Sequence, residues 1–436
     1  MNTTLSLVLL LSVPVLPLLL AFPALHSRVP WPCHLALLPA IILLAVPAVV
    51  SVDLPWLLFG TGLYIDGASR LLLGMSVVLW AVAALFMRTP DGQAADNFLT
   101  TFCLLTMAGN LGTILANDLV GFFTFSVLMG YGFYGLLVVS GDEATRRAGR
   151  AYLGFMILAD LALFEALLIA AAMTGDLGFE AVRHATGQSS TSGLYLSMVV
   201  VGFAARAGVW PLHFWLLRAF GSARPAVALL LGGVPVAMGL LGMVRWLPLG
   251  IITSPKPGLI IQSIGMAAIL YATLAGLIRV RSKRLPAYVV IIATGLFVTA
   301  LGAGLADPVA WIQYENPAYF YIASLGPGLA VLVTGIRWLQ ARREYAAMSA
   351  RQEDDSNSWF ERLPGAVMRW GREAGLDILP GWRASWLAKA GCLRQIRVWQ
   401  KTLDSIERYL QRWTFASTLL VLLGVIVALA GASLLR

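Results

Sequence analysis

Residues 202–245 read GFAARAGVWPLHFWLLRAFGSARPAVALLLGGVPVAMGLLGMVR, and this stretch decides the fold. It is a hydrophobic helix carrying one cation, Arg206, broken at Pro211 and followed by a short basic turn and a second hydrophobic helix. A proline inside a membrane helix removes one backbone hydrogen bond, and such breaks often sit where a transport path or cavity runs. An arginine at mid-membrane depth is costly and faces protein, water or an acidic partner. Two readings fit: a site on a transport path, or a kinked helix whose arginine is a structural tie.

The rest of the chain has the same character. Of its 436 residues, 59% are hydrophobic and only 12% charged, with a mean hydropathy of +0.79. An ordinary soluble globule carries about 25% charged residues, so that class is excluded. Apolar runs of about 20 residues recur, each long enough to cross a hydrocarbon core of ~30 Å. The net charge of +9 sits at helix ends and in a tail. It points to the membrane surface and acidic partner subunits rather than to nucleic acid. Cys33, Cys103 and Cys392 are isolated, so no cofactor held by this chain is expected, neither zinc nor an iron–sulfur cluster. The N-terminal apolar run lacks the basic flank of a signal peptide and reads as a retained first span.

The pattern predicts an all-α polytopic membrane protein of about twelve spans. These lie over 5–22, 35–52, 67–86, 98–116, 119–139, 151–173, the two helices of the opening stretch, 259–278, 285–305, 317–338 and 415–435. Residues 54–67, LPWLLFGTGLYIDG, read as a short extracytoplasmic loop. If the spans alternate, Arg28, Arg88, Arg146, Arg147, Arg150, Arg218, Arg224 and the cluster Arg279, Arg281, Lys283 and Arg284 share one side. The positive-inside rule makes that side cytoplasmic and places both termini outside, with Arg183, Lys256 and a few others as exceptions. The expected organisation is an N-terminal hairpin and loop (1–65), a transmembrane core (66–338), a cytoplasmic Trp/Arg-rich segment (339–413) and a last helix (414–436). Within the third part Ser349–Ser358 has linker composition. Ile396, Trp399, Leu403, Ile406, Leu410 and Trp413 recur in steps of three and four, an amphipathic helix for a membrane surface or a neighbouring subunit.

The run Trp210-Pro211-Leu212-His213-Phe214-Trp215-Leu216 resembles the "WPLHTWLPDAH"-like motif of the antiporter-like membrane subunits. That family is shared by respiratory complex I, group 4 membrane hydrogenases, Mrp cation/proton antiporters and DabB-type partners of inorganic-carbon transporters. The resemblance covers about residues 66–305 and implies a partial inverted-repeat fold with a broken helix near Pro211. It also implies a row of protonatable residues along the midplane, and there this chain departs from the family. Arg206 occupies the position of the family lysine, and a guanidinium does not release its proton in a protein. Val127, in Ser126-Val127-Leu128-Met129, stands where the family has the glutamate of "WELM". The stretch 231–239 carries no ionisable group. The second half of the repeat is cut short.

Two acids remain in the sixth span, Asp160 and Glu165, here read as buried. Five residues apart is about 140° around a helix, so they do not share a face. Asp160, Glu165, Arg206 and His213 are therefore the candidates for an ion path or a buried ion pair, with one acid pairing Arg206. His213 is either a proton relay or a histidine bonded to backbone freed at the break. Asp66, Arg70 and Asp118 sit at span ends and read as structural.

The resemblance implies a subunit of a multisubunit proton- or cation-translocating complex, here a degenerate module that scaffolds or assists pumping partners. The alternatives are a subunit of a DabA/DabB-type inorganic-carbon uptake complex, or a working carrier with a non-standard path. Implied partners are homologous antiporter-like subunits, the lipid bilayer, and a redox or zinc carbonic-anhydrase-like cytoplasmic subunit, with no nucleic acid. The implied location is a bacterial-type cytoplasmic membrane. The sequence shows no nucleotide-binding glycine loop or nucleophile–base arrangement, so redox or hydration chemistry would lie on partners.

Overall fold

The computed structural model describes residues 3–46, 50–54, 60–87, 97–278 and 284–352. The predicted last span, the amphipathic segment, Cys392 and the basic residues Arg88, Arg279, Arg281 and Lys283 lie outside the described residues. The chain divides into two compact units, of which the first covers Met1–Val333; the second, from Thr334, is described only along its first helix.

The chain opens with α1 (Thr3–Leu20), two single turns, α2 (Pro23–His26) and α3 (Pro32–Leu35), and α4 (Leu38–Ala45). The second span, expected over 35–52, ends early. Pro47 disfavours the helical region for the residue before it, and Val46 is extended (φ −89°, ψ 113°). The valine-rich continuation forms β1 (Val50–Asp53), which pairs antiparallel with β2 (Gly62–Ile65), Val50 opposite Ile65 and Asp53 opposite Gly62. Part of the expected loop is thus a strand.

The long helices follow: α5 (Gly67–Phe86), α6 (Asn97–Leu115), α7 (Leu119–Val138) and α8 (Glu143–Met173). Three of them start on an aspartate whose carboxylate accepts a backbone N–H, the N-cap chemistry that closes a free helix end. Asp66 accepts from Ser69 (2.7 Å), Asp118 from Gly121 (2.7 Å) and Asp142 from Thr145 (2.7 Å). The second oxygen of Asp118 accepts the Gly62 N–H at 2.7 Å, which ties the hairpin to α7. Hydrogen bonds from the Thr145 hydroxyl and N–H hold the exposed Asp142 carboxyl below the usual carboxylate range. Its support of α8 is therefore present above pH ~4 and lost as pH falls through the lowered value. Amide exchange in the first turn of α8 should rise in acid in the wild type and stay flat in Asp142→Asn.

After α9 (Phe179–Thr186) come α10 (Ser192–Ala207), α11 (Phe214–Ser222) and a buried three-part helix. Its parts are α12 (Pro225–Leu231), a π-turn (Gly232–Val236) and α13 (Ala237–Trp246). The chain continues through α14 (Pro255–Ile278), α15 (Leu285–Ala306) and α16 (Pro308–Gln352). Here α16 runs through Ser349–Gln352, the first residues of the linker-like run. Among the described residues eight helical segments are long and apolar enough to span a membrane. Three shorter apolar ones, Leu7–Leu20, Pro32–Ala45 and Ser192–Ala207, stand where spans one, two and seven were expected.

The segment Pro225–Trp246 is the centre: residues 226–246 are all buried, with α5 against α12 and α10 against α13. Close backbone approach sets the other pairs. A Cβ at Gly109 on α6 would lie 2.4 Å from the Met129 nitrogen and 2.7 Å from the Phe125 carbonyl oxygen of α7. A Cβ at Gly302 on α15 would lie 2.4 Å from the Gln262 nitrogen of α14. Small residues let membrane helices touch backbone to backbone. Gly109→Leu should therefore separate α6 from α7 and destabilise the protein by about 1–3 kcal/mol, read as a lower unfolding midpoint in detergent.

Candidate functional site

The predicted break is present, and the local sequence explains it. Gly208 turns the chain out of α10 with φ +64°, and the Trp210–Pro211 bond that follows is cis. Breaking a helix frees carbonyls that must be satisfied within the protein. Ala204 O accepts from Val209 N at 2.9 Å, and Ala205 O accepts the Trp215 indole N–H at 3.0 Å.

Arg206 stands in the last turn of α10, only 3% exposed. Its Nη2 donates to Asp160 Oδ1 of α8. This settles which acid pairs with the cation. Tyr131 of α7 adds a hydrogen bond to the same carboxylate. Val127 lies one turn before Tyr131, so α7 supplies a phenol to the pair and no acid. Aromatic rings cluster around Tyr152, on the same helix as Asp160. Tyr152 packs edge-on against Trp215 at 5.1 Å and against Phe133 at 5.7 Å, and its hydroxyl donates to Gly130 O at 3.2 Å.

Glu165 departs from its expected setting. As the 140° separation requires, it diverges from Asp160, but it lies exposed on the outer face of α8 rather than buried, and it makes no ion pair among the described residues. His213 is wholly buried, just before α11, with Nε2 3.2 Å from the Tyr271 hydroxyl of α14. Trp215 takes a freed carbonyl of α10 at the break, and the Pro211 carbonyl is a hydrogen-bond partner of His213. The structure thus unites Asp160 and Arg206 and leaves His213 and Glu165 outside that pair.

A second buried cation escaped the sequence reading. Arg245, in the last turn of α13, is 7% exposed. It closes the C-terminal end of α6, donating to Thr113 O (3.2 Å), Ile114 O (2.8 Å) and Ala116 O (3.0 Å), and to Ser69 Oγ of α5 (3.1 Å). Arg183 of α9 does the same for α13, donating to Val244 O at 2.7 Å and Arg245 O at 3.1 Å. Cations at helix C-terminal ends meet the negative pole of the dipole. This explains why Arg183 breaks the charge pattern: it is recruited by a helix end. The same anomaly, a cation on the side opposite the basic loops, is the signal that could have found Arg245. The π-turn was also missed. Pro235 lies in it, and Gly233 there approaches Gly326 of α16 so closely that a Cβ would stand 2.7 Å from its Cα. The cleft beside it is lined by Leu72, Leu79, Met238 and Ile322, with Ser76 among them. Among the described residues no three His, Cys, Asp or Glu side chains are grouped to hold a metal ion.

A central buried helix, a helix broken before a WPLH run and a buried ion pair at that break mark the centre of this membrane-type helical fold. Residues 116–314 match the family described as NADH:quinone oxidoreductase/Mrp antiporter, transmembrane. One component of the Na(+)/H(+) antiporter of Alkalihalophilus pseudofirmus is 24% identical over 56% of this chain and 50% of its own length. The NADH-quinone oxidoreductase subunit N of Thioalkalivibrio sulfidiphilus is 25% identical over 69% and 62%. The chain spans about half the length of the curated relatives it matches. In the Mrp complex from Dietzia sp. one chain superposes with a TM-score of 0.62, covering 76% of this chain and 64% of that one at 22% identity. A chain of an archaeal membrane-bound sulfane sulfur reductase gives 0.63, covering 76% and 70% at 17% identity. These two likenesses establish the shared fold.

Proposed function

We propose that this chain is a membrane subunit of a multisubunit proton- or cation-translocating complex, and that it braces its neighbours rather than carrying ions itself. The observation that carries this reading is the state of the would-be carrier position. Arg206, a guanidinium where a relay would need a group that exchanges protons, is buried and bound to Asp160, with Val127 where an acid would be needed to hand on a proton. A relay needs neighbouring groups that gain and lose protons near neutral pH. The relatives named as antiporter and oxidoreductase subunits support this kind of assembly. In this reading the basic loops face the cytoplasm and both termini lie outside, in a bacterial-type cytoplasmic membrane.

Gentle-detergent purification of the tagged chain, followed by mass spectrometry, tests the reading. The expected result is recovery in fixed proportion with other antiporter-like membrane subunits. A monodisperse monomer that exchanges cations for protons when reconstituted alone contradicts it.

A further inference from the structure

The outer face of α8 carries a glutamate where a membrane-facing helix has no use for one. Ile157, Leu161, Phe164 and Leu168 are 42%, 59%, 46% and 49% exposed. They recur in steps of four, three and four, the stripe that a single helix face presents. Glu165 lies within this stripe and is itself exposed. It stands eight residues before the helix end at Met173, about 12 Å at 1.5 Å per residue. A glutamate side chain is too short to lift its carboxylate that distance to the headgroups. Hydrocarbon is a poor neighbour for a carboxylate, and ionisable groups at such depth face protein or a partner charge.

We infer that the α8 stripe is the docking face for a transmembrane helix of a partner subunit bearing a lysine or arginine level with Glu165. This rests on the reading that the chain works inside an assembly and names the contact. Charge complementarity selects the occupant. Two copies meeting across this face by two-fold symmetry would bring Glu165 against Glu165. The chain's own apolar run at 415–435 contains no cation before Arg436. A helix with a basic side chain satisfies the carboxylate, and the four apolar residues supply the packing.

The test places a photo-crosslinking amino acid at Leu161 or at Leu168 of the full-length chain in its native membrane, with mass spectrometry of the joined peptides. The expected adduct is a hydrophobic segment of a different polypeptide that contains a lysine or arginine. Glu165→Lys should lower recovery of that polypeptide about tenfold or more, and reversing the mapped cation to glutamate should restore it. Glu165→Leu, which keeps the face apolar and the helix intact, should lower recovery without that rescue. Adducts only to lipid, to a second copy or to residues 415–435 overturn the inference, as does normal recovery with Glu165→Lys. If antiporter-like subunits still co-purify in those cases, only the docking face has failed. If none co-purify from the wild type, the assembly reading has failed first.

Discussion

Arg206→Leu should be among the most damaging single substitutions in this protein, lowering stability by about 3–5 kcal/mol. The change removes the cation and leaves Asp160, 13% exposed at its side chain, without a counter-charge. An unpaired carboxylate in such surroundings either stays charged at high cost or takes up a proton, and both weaken the native state. Removing both charges has a different outcome. Well-packed apolar residues often replace a buried pair without loss, so Asp160→Leu with Arg206→Met should recover most of the stability. Thermal unfolding of wild type, Asp160→Leu, Arg206→Met and the double variant in one detergent, analysed as a double-mutant cycle, measures the coupling directly. Two independent losses that simply add would mean that the pair is not a unit.

The second large effect is expected at Arg245. Its guanidinium serves three carbonyls of the last turn and end of α6 and the Ser69 hydroxyl of α5, while Phe179 of α9 lies 5.7 Å beneath it. Arg245→Leu leaves those carbonyls buried with a donor lost. Each unsatisfied buried group costs about 1–3 kcal/mol, so a loss of about 3–5 kcal/mol is expected after relaxation. Lysine keeps the charge, but it is a point donor and cannot span the fork. Arg245→Lys should therefore fall between wild type and leucine. The readout is unfolding midpoint together with amide exchange in residues 111–116, which should accelerate in both variants and more in leucine. Equal midpoints for lysine and leucine would show that charge is irrelevant there.

The broken helix and its arginine were legible because proline, glycine and a lone cation inside an apolar run each have one physical meaning. The choice of Asp160 over Glu165 was not legible. The 140° between them states that they diverge, but not which faces the core, since both helix faces are apolar in a membrane protein and periodicity loses its contrast. The strand at Val50–Asp53 was missed for a related reason: a short apolar run of β-branched residues reads equally as the end of a span. Arg245 was read over because a cation at a span end usually belongs to the interface. Only its partners in space, more than 125 residues away in sequence for α6, give it a role.

In the function proposed above, the charges at the helix break hold the fold and do not carry ions. The most direct measurement is the ion-coupled turnover of the complex assembled with the Asp160→Leu, Arg206→Met chain, normalised to the amount assembled. Turnover per assembled complex equal to wild type is the predicted result. Normal assembly with coupling abolished would contradict the account and make the Asp160–Arg206 pair part of the ion path.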